Sequence, residues 1–289
     1  MTRTDSVLYT ATTVPFDSSG AVDAGGLTEF YRWLDAAGVD GVFPCGTTGE
    51  FVALDDDERT LVVARAVEVF GQDRVIAHIG APTLRQALSL MERAKEVGAS
   101  RFSAITPYFE RAHDAALLWY YANLGQACGG QLYAYHFPAR TGVDLTPARL
   151  GEIVAQAPVM GIKVSGLTAA EVLKYRPTPG FQTFTGNDAS YAESVRGGAF
   201  GAVSGLSSAF PEAFVAMREA LASGDEAAMS RGQADIDDIV RVLQGGNFTL
   251  VKKAMDLRGV PAGPVRVALD APTDEQVTQL RDLIARVTQ

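Results

Sequence analysis

Short apolar runs alternate with longer amphipathic stretches along most of the chain. The first run is Val7-Leu8-Tyr9-Thr10-Ala11-Thr12, ending before Pro15 and the turn Asp17-Ser18-Ser19-Gly20. Behind it Leu27, Phe30, Tyr31 and Leu34 recur at helical spacing over 25–37, and Gly38 stops that helix. Gly41-Val42-Phe43-Pro44-Cys45-Gly46 predicts a second strand. A helix over 55–70 opens on Asp55, Asp56, Asp57 and Glu58, where the macrodipole favours acids. The same reading predicts strands over 75–80, 102–105 and 131–136, and helices over 83–97, 114–128 and 147–157, the last capped by Thr146. A strand around Lys163, a helix over 168–174, a strand over 181–185, a helix over 188–195, a strand over 200–204 and a helix over 211–221 follow.

Such strict alternation implies a parallel sheet covered by helices. The units number eight, which fits a closed (β/α)8 barrel, a TIM barrel, over 1–224. An open doubly wound sheet is the runner-up, but no G-x-G-x-x-G follows the first strand. The remainder, 225–289, reads as three helices (226–243, 248–258 and 273–287), a C-terminal helical extension of the barrel and not a separate domain.

Charge and composition narrow the partners. The formal net charge of -9 disfavours nucleic acid and anionic membranes, though it does not exclude a small anionic substrate. No apolar run approaches the roughly 20 residues that span a bilayer. The start, Met1 to Ser6, lacks the apolar core of a signal peptide, so a cytoplasmic protein is expected. Cys45 and Cys128 lie far apart and read as reduced, buried thiols. His78, His113 and His136 are scattered, without the spacing of a metal site.

In a barrel of this kind the chemistry gathers at the carboxyl ends of the strands. Polar and glycine residues collect there, in Gly46-Thr47-Thr48-Gly49-Glu50, Thr106-Pro107-Tyr108-Phe109, Tyr135-His136-Phe137-Pro138, Thr185-Gly186-Asn187-Asp188 and Val203-Ser204-Gly205. Lys163 stands in the apolar run Gly161-Ile162-Lys163-Val164. Burying an ammonium is costly, so such a lysine tends to lose its proton or find a partner. A neutral amine held on a strand attacks carbonyls and forms a Schiff base. A lysine reaching out from a strand end, or paired structurally with a carboxylate, is the plainer alternative. Gly46, Thr47 and Thr48 offer amides and hydroxyls for a small carboxylate, or simply form a glycine turn. Tyr135 would stand beside Lys163 and pass protons, or be a core tyrosine. Arg140 would grip a second carboxylate, or lie on the surface.

Taken together, Gly46-Thr47-Thr48-Gly49-Glu50, Thr106-Pro107-Tyr108, the Tyr-x-x-Pro of Tyr135 to Pro138, and Gly161-Ile162-Lys163 resemble the dihydrodipicolinate synthase / N-acetylneuraminate lyase family of pyruvate-dependent class I aldolases. Thr13-Val14-Pro15-Phe16 matches another family segment loosely. The resemblance covers nearly the whole chain. It implies that Lys163 attacks the ketone of pyruvate or of a 2-keto acid, that Tyr135 relays protons with the Thr47 hydroxyl, and that Thr47 and Thr48 hold the carboxylate. It also implies that Val203 lines the pocket, that no metal or organic cofactor is needed, and that the protein is a homo-oligomer, a tetramer or a dimer.

Three positions depart from the family pattern. Phe109 replaces a second tyrosine that completes a proton relay in the synthases, His136 replaces a usual asparagine, and Val164 follows the lysine in place of a polar residue. Arg140 pulls the other way, since the synthases carry a similar arginine. The resulting expectation is an aldolase acting on a 2-keto-3-deoxy sugar acid or related hydroxy keto acid. Dihydrodipicolinate synthase comes second and a keto-deoxy sugar diacid dehydratase third. From another class, a non-catalytic barrel that holds a keto acid stays open.

Overall fold

The protein, here as a computed structural model, is described over residues 6–288. Residues 1–5, on which the reading of a missing signal segment rested, and residue 289 lie outside the described residues. The strands are β1 Val7–Ala11, β2 Gly41–Phe43, β3 Ile76–His78, β4 Arg101–Ile105, β5 Leu132–His136, β6 Val159–Val164, β7 Gln182–Thr185 and β8 Gly201–Ser204. They pair in parallel in the order β2-β1-β8-β7-β6-β5-β4-β3. The two ends of that sheet meet through a parallel bridge between Val42 and Val75, and through the His78 amide donating to the Pro44 carbonyl at 3.2 Å. The sheet is therefore a barrel with one thin seam, a TIM barrel.

The covering helices are α1 Ala24–Ala37, α2 Asp56–Phe70, α3 Leu84–Glu96, α4 Asp114–Ala127, α5 Pro138–Thr141, α6 Pro147–Gln156, α7 Ala169–Val172, α8 Tyr191–Arg196 and α9 Pro211–Ser223. Beyond them run α10 Glu226–Val242, α11 Phe248–Leu257 and α12 Asp274–Val287; α10 packs on α9 and α12, and α11 on α12. Local chemistry sets their ends. Asp55 and Glu58 form a capping box at the start of α2, so two of the acids read as dipole partners also satisfy orphan amides. Thr83 and Thr146 cap α3 and α6. On α3 the buried positions Leu84, Ala87, Leu90, Met91 and Ala94 form one stripe, which seats the helix on the barrel.

Two predicted helices are shorter than expected. The stretch 168–174 yields only α7, because Pro177 and Pro179 just beyond turn the chain extended. The stretch 188–195 begins as a 3-10 turn, Asp188–Ser190, before α8. The single-turn α5 has no counterpart among the predicted helices. Its signals are present, with Pro138 at the first position and Gly142 left-handed at φ 67 after the end, but one turn is too short to show periodicity.

Inside the barrel, aromatic rings fill the space left by glycines. A Cβ on Gly41 would lie 2.5 Å from the Tyr9 ring, and one on Gly161 would lie 2.6 Å from the Tyr133 ring. Arg101 sits between those two rings and plugs the amino-terminal end of the strands. The opposite, carboxyl-terminal end is left for chemistry.

Candidate active site

Parallel pairing puts Tyr135 of β5 directly beside Lys163 of β6, with Phe184 of β7 on the lysine's other side. Lys163 is buried, only 5% exposed. Its Nζ lies 4.6 Å from the centre of the Tyr135 ring and 4.8 Å from that of Phe43. No carboxylate among the described residues comes within 4 Å of it, so the structural ion pair weighed from sequence is not formed. Gly186 lies against the lysine stem: a Cβ there would stand 2.1 Å from Ser165 Oγ and 3.1 Å from Lys163 Cε. That close approach requires glycine.

Facing the lysine is the turn after β2. The Gly49 amide donates to the Gly46 carbonyl and the Glu50 amide to the Thr47 carbonyl, both at 3.1 Å, while Cys45 and Glu50 take left-handed backbones at φ 58 and φ 52. Among the described residues nothing accepts the amide hydrogens of Thr47 or Thr48. Two unclaimed amides beside two hydroxyls make an anion site of carboxylate size. The Thr47 hydroxyl lies 3.1 Å from the Tyr135 hydroxyl, which joins this turn to the strand that carries the phenol. Gly205, after β8, closes on the same turn; a Cβ on it would be 2.6 Å from Thr48 Oγ1. Gly46 is buried, its backbone against the Phe43 ring.

Two residues that the sequence reading left out of the site also reach it. His78 is buried, with Nδ1 2.8 Å from the Cys45 carbonyl and Nε2 accepting the Ile105 amide at 3.2 Å. The carbonyl needs a donor and the amide an acceptor, so the ring is neutral with its proton on Nδ1. Burial first, and the Arg59 charge second, hold its pKa well below the usual imidazole range. This side chain spans the thin seam of the barrel and fixes the strained Cys45 peptide that leads into the threonine turn. The signal that singled out Lys163, one polar residue inside an apolar strand, was equally present at His78. Asp188, after β7, has its carboxyl pushed up to about 6 by burial, opposed by the Ser204 hydroxyl, the Lys163 charge and the Leu206 amide. It stood in the polar cluster read from sequence without being chosen from it.

Beside Thr47, at this carboxyl-terminal end of the strands, opens a cavity of about 450 Å³. Thr47, Tyr108, Arg140, Gln244, Asn247 and Leu269 are among the residues around it. Lys163, Tyr135 and Val203 do not form its walls; Val203 is buried in β8, in register with Tyr9 of β1. Arg140 is exposed, 5.9 Å from the Phe137 and Phe248 rings, and no carboxylate among the described residues pairs with it. Phe109 stands in solvent at φ 79, 93% exposed. Both cysteines are free and buried, and burial pushes the Cys45 thiol up to about 11, which rules against it as a nucleophile at neutral pH.

Comparison with known proteins agrees with this geometry. The sequence profile of the Dihydrodipicolinate synthetase family matches residues 5–287. An uncharacterized DapA-like lyase of Halobacterium salinarum is 32% identical over 90% of this chain and 86% of its own length. A 4-hydroxy-tetrahydrodipicolinate synthase of Methanoculleus marisnigri is 31% identical over 93% of this chain and 94% of its own. Among solved structures, YagE of E. coli K12, a prophage protein of the dihydrodipicolinic acid synthase family in complex with pyruvate, superposes with a TM-score of 0.90 at 26% identity, covering 98% of both chains. The chain therefore belongs to the dihydrodipicolinate synthetase family and is an enzyme of its kind, a pyruvate-dependent carbon–carbon lyase of the class I aldolase type.

Proposed function

We propose that this lyase joins or releases pyruvate and a hydroxylated aldehyde, acting on a 2-keto-3-deoxy sugar acid or a related hydroxy keto acid. One observation carries the catalytic part: the Lys163 amine, the Tyr135 phenol beside it, and the Thr47 hydroxyl 3.1 Å from that phenol, under two unclaimed amides. The amides of Thr47 and Thr48 hold the keto-acid carboxylate. Lys163 Nζ attacks C2, and the resulting carbinolamine loses its oxygen as water, with Tyr135 delivering the proton. The C3–C4 electrons then flow into the iminium, C4 leaves as an aldehyde, and its hydroxyl proton returns to the Tyr135–Thr47 pair. Protonation of the enamine at C3 and hydrolysis release pyruvate and restore the amine.

The substrate preference rests on the mouth. Asp188, half-buried after β7 and coupled electrostatically to Lys163, offers a carboxyl that can accept from or donate to sugar hydroxyls. Phe109 brings no hydroxyl where the synthases of the family carry their second tyrosine. Arg140 on the cavity favours a second reading, dihydrodipicolinate synthase, whose aldehyde partner carries an acid group for a guanidinium to grip. Borohydride with pyruvate tests the chemistry: one adduct on Lys163, absent from Lys163→Ala, is expected. An unmodified protein at saturating pyruvate would instead favour a barrel that only binds a keto acid. An aldehyde panel tests the substrate. Faster condensation with aspartate semialdehyde than with any sugar aldehyde reverses the ranking. The same family reading carries a homo-oligomer, which light scattering on the purified protein checks.

A further inference from the structure

Glu50 ends the threonine turn and also holds the far wall of the mouth. Its side chain has no exposure. Oε2 accepts the amides of Arg266 at 2.8 Å and Val267 at 3.0 Å. Oε1 lies 2.8 Å from Nζ of Lys252 on α11, and that Nζ donates to the Pro264 carbonyl at 2.8 Å and sits 4.1 Å from the centre of the Phe16 ring. Arg266 is itself tied down by Glu58 at 2.5 Å, by the Ala53 carbonyl at 2.9 Å and by the Gly20 carbonyl at 2.8 Å. The residues that follow, Val267, Ala268 and Leu269, line the cavity.

A lysine and a carboxylate buried this fully give up their hydration, and an apolar pair of similar volume commonly matches them in stability. What apolar packing lacks is directionality. Glu50 fixes the distance between the turn that would hold the keto acid and the segment opposite it, because one carboxylate bonds to both the lysine of α11 and two successive amides of that segment. The left-handed backbone at Glu50, which costs a non-glycine residue energy, aims the side chain away from the amides of Thr47 and Thr48 and toward that wall.

We propose that Glu50 is a positioning residue for substrate selection: it sets the gap between the keto-acid clamp and the 264–269 segment, and that gap decides which aldehyde the mouth accepts. The proposal rests on the Schiff-base reading above and concerns the second substrate only.

The test uses the full chain and two variants, Glu50→Gln and the double variant Glu50→Gln with Lys252→Met, the second removing the stranded charge in case the first folds poorly. Amide exchange at Arg266 and Val267 should rise roughly tenfold in Glu50→Gln, as a locally opened segment exchanges faster. Pyruvate trapping by borohydride should persist. The ratio of kcat/KM for the best aldehyde to that for one shorter by a carbon should fall about tenfold, through the aldehyde KM and not through kcat, the scale on which a pocket reads one methylene. An unchanged ratio with lowered stability would reduce Glu50 to a structural role and overturn the proposal. Loss of trapping in both variants would overturn it too, by putting Glu50 in the keto-acid clamp itself. If the wild-type protein traps no pyruvate, the Schiff-base reading fails instead, and unchanged exchange at Arg266 and Val267 would still refute the anchoring.

Discussion

The two ends of the barrel each hold a basic side chain between aromatic rings, and they treat it in opposite ways. At the floor, Arg101 lies 5.7 Å from the Tyr9 ring centre and 5.4 Å from that of Tyr133. Its guanidinium donates to the Tyr9 hydroxyl at 2.6 Å, to the Asp73 carbonyl at 2.7 Å and to the Tyr133 hydroxyl, whose own O–H donates to Gln182 Oε1 at 2.6 Å. At the mouth, Lys163 has the ring faces of Phe43 and Tyr135 and no hydrogen-bond acceptor among the described residues. A satisfied cation closes a structure, whereas a lysine without hydrogen-bond acceptors beside a phenol is left open to a ligand. Residue type does not separate the two ends, since both are built from a cation and tyrosines two positions apart on β5. Satisfaction of the polar groups does.

Matched substitutions at the two ends test that contrast. The largest effect is expected from Lys163→Ala, which should lower turnover by at least about 10⁴-fold and abolish the borohydride adduct while leaving the melting temperature close to wild type. Arg101→Met should do the reverse, costing about 2–4 kcal/mol in denaturant unfolding through lost charged hydrogen bonds, with the adduct retained. The tyrosine pair sharpens this within one strand. Tyr135→Phe should slow turnover by roughly 10²-fold or more, whereas Tyr133→Phe should leave turnover within about twofold and cost about 1 kcal/mol. Equal kinetic effects at the two positions would erase the distinction between floor and mouth. Thr47→Val comes next, with a loss near tenfold in kcat, the worth of about one hydrogen bond to the phenol.

The last test of the contrast concerns pH. His78 is held well below its usual value and His136 is pushed down to about 4, in both cases by burial first. Between pH 6.5 and about 4 the unfolded chain takes up protons that these native rings refuse, so stability falls as pH falls through that window. Asp188, raised to about 6, works the other way: below pH 6 its native carboxyl binds a proton before the unfolded one does and offsets part of the loss. Unfolding midpoints across this range should therefore decline toward acid. His136→Asn should flatten the slope by up to about 1.4 kcal/mol per pH unit, one proton's worth. A slope unchanged in that variant would remove His136 from the balance.

Much of the fold could be read from local patterns. Alternating strand and helix periods, with caps at Asp55, Thr83 and Thr146, are written in residues that neighbour one another along the chain. They predicted the parallel barrel and the three helices after it. Lys163 could be found for the same reason, as a lone charge in an apolar run. The arrangement of the site was another matter. Thr47 and Tyr135 meet across 88 positions, and His78 joins Cys45 to Ile105, only because the barrel closes. Family likeness paired the first two; His78 stood out locally as a polar residue in an apolar strand, but nothing local named its partners Cys45 and Ile105. The C-terminal helices looked like an appendage, yet 244–248 and 267–269 furnish part of the cavity wall, since Glu50 reaches a lysine and two amides more than two hundred positions away.

Sequence by itself thus determined which segments become strands and helices and which strand buries a lone lysine, because those outcomes depend on periodicity and on the apolar run around Lys163. Only the tertiary structure decided which polar groups are satisfied and which stay open, because a hydrogen bond depends on distance in space, and closure of the sheet sets those distances.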